Sequence, residues 1–563
     1  MFYKGILFDL DNTLYSYDIC HSKAIHAVIH YLHSQYNFTI EDIQSIYDKI
    51  SISTKYDLDT TASSHNKSIY FKQLLERFNI KLSILPTIQT LYWTTFLENI
   101  TLYEGVNEFI KWNRELGIKI GILTDYETEY QIQKLDKLDI LPYIDVIVTS
   151  EEVGIEKPSR HMFQTILNKM NLSPEEVIMI GDNYKKDMMG ADNMNILSYW
   201  FTQTIKTQSI TTSFSSWTDL HNEFTEIHTC LQQLSTFSKY VGQRIDLVQA
   251  GGGNSSVKHN DSLFIKSSGI SMANITPSSG YSIINNTKLT YDICNNAVQD
   301  VMKYTIMKTS KRPSIETYMH AILKKYTLHL HPIQVNRILI RSDARTIMNA
   351  LFPEALVIDY FTPGIKVCDE IKRTYNNENI IFLLNHGLIL TSDDYTNIYK
   401  YLDYVIEKID SYTEENKIHV DLTRYKYVSD ITRFIYDKLE IQTAIYLCEN
   451  QTINHFLKAD QKTLKESHTV PDELIYCGIK IAFIDHLQDI CSYNIIYQEI
   501  PKIIIINHNI YIISNSITKC REIEEVLLSK LLIADNNQKK TFLSSDEICF
   551  LNNWDAEKYR QLL

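Results

Sequence analysis

Residues Phe2 to Phe8 are apolar and β-prone without a clean alternation, as in a strand buried on both faces, and the run stops at Asp9-Leu10-Asp11-Asn12-Thr13. Lys119 to Leu123 reads as a second such strand ending in Thr124-Asp125, and Val177 to Ile180 as a third running into Gly181-Asp182-Asn183. Between the first two, Tyr15 to about Asn99 is mostly helical in pattern and poor in glycine. Buried strands with polar residues at their carboxyl ends predict an open α/β sheet that binds its ligand at those ends. Thr207 to Ser216 is polar and β-prone, and Trp217 to His228 reads as a helix. We take these as the last strand and helix of a first domain, or the link out of it, with a boundary near residue 227.

The second half opens with a helix and a glycine loop, Gly251-Gly252-Gly253-Asn254-Ser255-Ser256, followed by a strand at Ser262 to Lys266 and a second small-residue loop, Ser267-Ser268-Gly269. No Gly-x-Gly-x-x-Gly helix start follows, so no nicotinamide cofactor is expected; two loops that expose backbone N–H groups suggest a phosphate cradle. Arg312 to His320 reads as a helix start with Ser314 near the N-cap and Glu316 in the first turn, a position that favours an anion near Ser314. His329 and His331 are two apart in a short strand that Pro332 ends, so both face one side. A third histidine, His386, sits in an Asn385-His386-Gly387 turn after the apolar strand Ile380 to Leu384. Toward the C-terminus, Ile503 to Ile506 is an apolar strand, and Asn507-His508-Asn509 reads as a hairpin turn into Tyr511 to Ile513, with His508 exposed.

Length and charge narrow the possibilities. A chain of 563 residues is too long for one hydrophobic core. The net charge of -13, without a long basic run, argues against a nucleic-acid surface. Nine cysteines without a Cys-x-x-Cys spacing fit reduced thiols. The N-terminus enters a strand without the layout of a signal peptide, and no apolar run approaches the roughly 18 residues needed to span a bilayer. A soluble, cytoplasmic protein with no membrane partner is the expectation.

The acidic set forms an ordered series: Asp9 and Asp11, Thr124, Lys157 in Glu156-Lys157-Pro158, Asp182 in Gly181-Asp182-Asn183, and Asp187. About the first 225 residues resemble the haloacid dehalogenase superfamily. That resemblance implies a Mg²⁺-dependent phosphatase with Asp9 as nucleophile, Asp11 as general acid/base, Thr124 on the transferring phosphoryl group and Lys157 neutralising it. Asp182 would hold Mg²⁺ with Asp9 and the Asp11 carbonyl, and Asp187 would support that shell. The stretch at about 15–99 would be the helical cap that closes over the site. Asp11 favours a phosphatase over a dehalogenase, because halide needs no proton from a general acid.

The loop Gly251 to Ser256, Pro313-Ser314-Ile315-Glu316-Thr317, His329-Leu330-His331-Pro332 and Asn385-His386-Gly387-Leu388-Ile389 resemble the class II aldolase/adducin family over about residues 228–415. They are most similar to the aldolase half of the bifunctional rhamnulose-1-phosphate aldolase/alcohol dehydrogenase proteins. The resemblance implies His329, His331 and His386 as Zn²⁺ ligands, Glu316 as acid/base, and Asn254, Ser268, Gly269 and Ser314 around the substrate phosphate. It also implies a homo-oligomer, in this family a tetramer. Ile315 departs from the Pro-Ser-Ser-Glu of shorter relatives, which bears on the phosphate contacts. Asn553 to Arg560 resembles the tail of longer relatives, which usually continue into a dehydrogenase; none is expected here.

The expected architecture is therefore α/β throughout. A Rossmann-like parallel sheet with a helical cap occupies 1–227, an α/β/α aldolase-like domain 228–415, and an α/β extension of it 416–563. The expected function is a two-site enzyme on small phosphorylated sugars or triose phosphates, a phosphatase and a zinc aldolase for a ketose 1-phosphate. Two alternatives stand beside it: a dehydratase or epimerase on the aldolase fold, and a non-catalytic, adducin-like binding protein.

Overall fold

The computed structural model describes residues 2–202, 212–306, 311–413, 422–459, 461–534, 542–546 and 548; the tail at Asn553 to Arg560 lies outside them. The chain divides into two compact units at Thr229/Cys230, and each is treated separately below. Among the described residues no helix is long and apolar enough to cross a membrane.

The first unit is built on a six-stranded sheet: β1 (Gly5–Phe8), β2 (Lys119–Thr124), β3 (Val146–Thr149), β4 (Val177–Gly181), β5 (Leu197–Phe201) and β6 (Thr212–Phe214), in the order β3-β2-β1-β4-β5-β6. Every pairing is parallel. Both faces carry helices, which is why Gly5 to Phe8 is buried at every position and reads as a continuous apolar run. The chain leaves β1 in one direction through β2 and β3 and returns on its other side at β4, so β1 lies at the topological switch point. Register then aligns the ligand-binding ends: Phe8 pairs with Ile122 on one side and Ile180 on the other.

Between β1 and β2 four helices form the cap: Tyr17–Tyr36, Ile40–Asp57, Lys67–Arg77 and Leu85–Glu98. Three start on a side-chain cap, with Ser16, Thr39 and Asn66 each accepting a backbone N–H of the first turn. They pack through Val28, Ile29, Tyr47, Phe71, Leu74, Tyr92 and Phe96. The helix expected over Trp217 to His228 instead runs Trp217–Gly242, because nothing at His228 ends it: no glycine or proline interrupts the chain before Gly242.

The second unit holds a seven-stranded, mainly antiparallel sheet of β7 (Asn254–His259), β8 (Ser262–Lys266), β9 (Tyr281–Asn285), β10 (Tyr326–Leu330), β11 (Leu356–Ile358), β12 (Ile380–Leu383) and β13 (Gly387–Ser392), ordered β11-β12-β13-β10-β7-β8-β9. Beyond it, β14 (Ala444–Leu447), β15 (Ala482–Phe483), β16 (Ile503–Ile506) and β17 (Asn509–Ser514) form a four-stranded sheet in the order β14-β17-β16-β15. Four consecutive isoleucines in β16 are all buried, two toward each face, between separate apolar layers. Asn507 and His508, both at positive φ and exposed, make the two-residue turn into β17.

Candidate active sites

In the first unit the strand ends converge on Asp9. Lys157 Nζ lies 2.5 Å from Asp9 Oδ1 and 2.7 Å from Asp187 Oδ1, and all three side chains are buried. Thr13 Oγ1 donates to Asp9 Oδ2 at 2.9 Å and lies 3.3 Å from Asp182 Oδ1. Asp187 also accepts the Asn183 N–H at 3.0 Å, from a wide π turn over Tyr184–Met188 that folds it back over the end of β4. Only glycine fits at 181: a Cβ there would sit 2.5 Å from Asp187 Oδ2.

The charge balance of this cluster is the test of a cation. Asp9, Asp182 and Asp187 offer oxygens within 4.8 Å of one another, and one lysine answers three carboxyls. Burial, then repulsion from Asp9, raises the Asp182 carboxyl well above the ordinary carboxylate range; burial and Asp9 raise Asp187 against the opposing pull of Lys157. An oxygen-only, electron-rich cluster of this kind fits Mg²⁺.

Asp11 is placed differently. Its carboxylate turns away from that group to Lys134 Nζ at 2.8 and 3.1 Å, to Gln131 Nε2 at 3.3 Å and to the Tyr15 hydroxyl. Burial pushes this carboxyl up, but Lys134, Tyr15 and Gln131 outweigh it and hold it below the ordinary value. Gln131 also donates to Thr124 Oγ1 at 2.6 Å, joining Thr124 to Asp11. Asp125 accepts the Lys157 N–H at 2.9 Å and Lys186 Nζ at 2.8 Å, fixing the lysine loop against β2. Sequence reasoning passed over Gln131 and Lys134. Their signal was a polar pair three apart on the buried stripe of helix Thr128–Lys137, beside Leu135.

In the second unit β10 lies between β7 and β13, which sets His329 opposite Asn254 and Ile389. His329 Nδ1 lies 3.2 Å from the Leu388 carbonyl, so it carries the proton and Nε2 presents a lone pair. His329 Nε2 is 3.1 Å from His331 Nε2 and 3.3 Å from His386 Nε2. Glu316 Oε1 joins them at 3.3 Å from His386 Nε2 and 3.5 Å from His329 Nε2. A tetrahedral metal with bonds of about 2.0–2.1 Å separates its ligand atoms by about 3.3 Å, so this nitrogen and oxygen set fits Zn²⁺. Burial lowers His329, His331 and His386, keeping imidazole neutral as a ligand must be, and raises Glu316. Gly387 permits the approach: a Cβ there would lie 2.3 Å from the Leu330 carbonyl and 2.9 Å from His331 Cδ2.

The expected phosphate residues spread around this centre. Asn254 donates its amide to Glu316 Oε2, and Ser314 Oγ accepts the Glu316 N–H at 3.2 Å. The helix begins only at Thr317, with Glu316 at its cap, so Ser314 stands ahead of the helix, not at its N-cap. The Ser268 N–H donates to the Arg312 carbonyl at 2.7 Å, and Ser268 and Gly269 are exposed. The small-residue loop therefore offers less backbone to an anion than its composition suggests.

The haloacid dehalogenase-like hydrolase family model matches residues 6–201. The chain is 32% identical over 200 residues to ribulose-1,5-bisphosphate 5-phosphatase of Halopiger xanaduensis, covering 35% of this chain and 84% of that protein. The chain belongs to the haloacid dehalogenase-like hydrolases. It is also 29% identical over 201 residues to glyceraldehyde 3-phosphate phosphatase of Methanocaldococcus jannaschii, over 35% of this chain and 83% of that one. Behind this hydrolase domain, residues 232–411 match the class II aldolase and adducin N-terminal domain, so the two are fused in one enzyme. The N-terminal class II aldolase domain of a conserved protein from Thermoplasma acidophilum is similar at 21% identity, covering 38% of this chain and all of that one with a TM-score of 0.31.

Proposed function

We propose that the hydrolase domain is a Mg²⁺-dependent phosphatase of small sugar phosphates and that the second domain is a zinc-dependent aldolase forming or cleaving a ketose 1-phosphate, of the rhamnulose 1-phosphate type. The observation that carries the reading is the pair of metal-ready clusters, Asp9/Asp182/Asp187 and His329/His331/His386, the second with Glu316 beside it. The named phosphatase relatives act on phosphorylated sugars or trioses, which favours that substrate class for the first domain.

In the first site Asp9 would attack phosphorus, forming an aspartyl-phosphate as the ester oxygen leaves with a proton from Asp11, which would first have to leave Lys134 and take up that proton, since beside Lys134 it is held ionised. Asp11 would then take a proton from water as the water attacks phosphorus, releasing inorganic phosphate and freeing Asp9. Lys157 would stay on Asp9 and the phosphoryl oxygens, and Thr124 would position the group. Asp9, the Asp11 carbonyl and Asp182, with Asp187 behind them, would hold Mg²⁺, which when bound offsets the charge of phosphate and carboxylates. In the second site His329, His331 and His386 would hold Zn²⁺, which when bound supplies Lewis acidity to the ketone and hydroxyl of the substrate. Glu316, buried and held by Asn254, would move the proton at the reacting carbon. Ser268, Gly269 and Ser314 would meet the substrate phosphate, with Asn254 reaching it only after leaving Glu316.

The test is mass spectrometry of the Asp9→Asn variant incubated with zinc, dihydroxyacetone phosphate and short aldehydes. A ketose phosphate should accumulate, and His331→Ala should abolish it. If nothing condenses while zinc is bound, the aldolase reading is wrong and a dehydratase or epimerase replaces it.

A further inference from the structure

Lys67 is the first residue of the cap helix Lys67–Arg77 and is only 4% exposed. Its ammonium donates to the His65 carbonyl at 3.2 Å and makes no ion pair among the described residues. It lies 4.9 Å from the Tyr70 ring centroid and 5.9 Å from those of Tyr17 and Tyr126. Burial lowers this lysine to about 7, and nearby Lys55 and Lys134 act in the same direction. Its position is unfavourable twice over: a buried cation lacks a carboxylate, and the N-terminus of a helix repels positive charge. Rings alone compensate little of that. The His65 carbonyl and the three rings offset only part of that cost, whereas a ligand anion would meet both the ammonium and the helix end.

The neighbours say where that anion belongs. Lys134, which holds Asp11, lies 5.4 Å from the ring centroids of the same Tyr17 and Tyr126. Lys67 and Lys134 thus share two rings; Asp11 pairs with Lys134 alone, and Asp11 and Glu127 act on Lys67 without an ion pair, Glu127 accepting instead from Asn66. On the proposed phosphatase reading, on which this inference rests, Asp11 protonates the departing oxygen, so this side of the site faces the leaving alcohol.

We propose that Lys67, at the N-terminus of its cap helix and within the Tyr17/Tyr70/Tyr126 rings, binds a second anionic group on the alcohol part of the phosphatase substrate. The preferred substrates are then phosphate monoesters whose alcohol carries a carboxylate or another phosphate. Lys67 selects the substrate and takes no part in bond breaking.

The test compares phosphate release from pairs of esters that differ in the distal charge: glycerol phosphate against phosphoglycerate, and a ketose monophosphate against its bisphosphate, with Mg²⁺ and the full chain. The wild type should prefer the doubly anionic member by on the order of tenfold or more in kcat/KM, the range of one charge-assisted hydrogen bond. Lys67→Met should bring that ratio to near one, mainly through KM, and Lys67→Arg should keep it. Because the ratio is internal to each variant, partial misfolding does not imitate the effect. Lys67→Met should also raise the Tm, since it removes a buried unpaired charge; a lysine with only a structural role would lower it. Turnover of both members without preference, or a preference that survives Lys67→Met, overturns this inference alone. Failure to hydrolyse any ester overturns the phosphatase reading and this inference with it.

Discussion

Replacing Lys134 by methionine tests whether the Lys134–Asp11 pair sets the charge of Asp11. The lysine side chain is fully buried and that of Asp11 is 26% exposed. Removing one partner of a buried pair typically costs about 3–5 kcal/mol, because the other charge is left uncompensated. Asp11 keeps Gln131 and the Tyr15 hydroxyl as donors and part of its surface in water, so the low end, about 3 kcal/mol at neutral pH, is expected. The pH dependence decides the mechanism. In the wild type the folded pKa of Asp11 lies below its unfolded value, so its contribution is present above the unfolded pKa and lost as pH falls through the folded one. Without Lys134, burial is opposed only by Gln131 and the Tyr15 hydroxyl, and the folded pKa is expected to move above the unfolded value. The penalty then stands at neutral pH and is relieved as pH falls through the raised pKa, when the folded carboxyl takes a proton. Urea unfolding followed by tryptophan fluorescence reads the right unit: of the five tryptophans, Trp93, Trp112, Trp200 and Trp217 lie in the hydrolase domain. Stability lost on Lys134→Met should be largest near pH 7 and shrink toward pH 4. An equal loss at both, or none, would refute the reasoning.

Two further outcomes are expected. Gly387→Ala places a Cβ against the Leu330 carbonyl and His331, so the strand end must shift; zinc retained after gel filtration should fall well below one per chain, and full retention would show that the turn yields without disturbing the histidines. On the proposed zinc reading, dialysis against a chelator should lower the unfolding temperature of the second unit, because His329, His331 and His386 would lose the cation they share; an unchanged melting profile in chelator would count against a resident metal.

The sequence by itself determined the parts of this protein that depend on neighbours along the chain. Strands β1, β2, β4 and β16 were legible because burial on both faces forces continuous apolar runs, and the acids and histidines were legible because each stands at a strand end or in a tight turn. Gly181 and Gly387 likewise stood inside the motifs that needed them. What only the tertiary structure decided is which charge answers which. Asp11 lies two residues from Asp9, yet one turns to Lys134 and the other to Lys157, partners more than a hundred residues away in sequence. The Ser268 amide looked free for an anion until the fold brought the Arg312 carbonyl to it. Lys67 looked like an ordinary helical lysine until the cap buried it among tyrosines. The reason is physical: local pattern follows from burial and backbone geometry within a few residues, whereas the pairing of buried charges depends on long-range packing that sequence spacing does not encode.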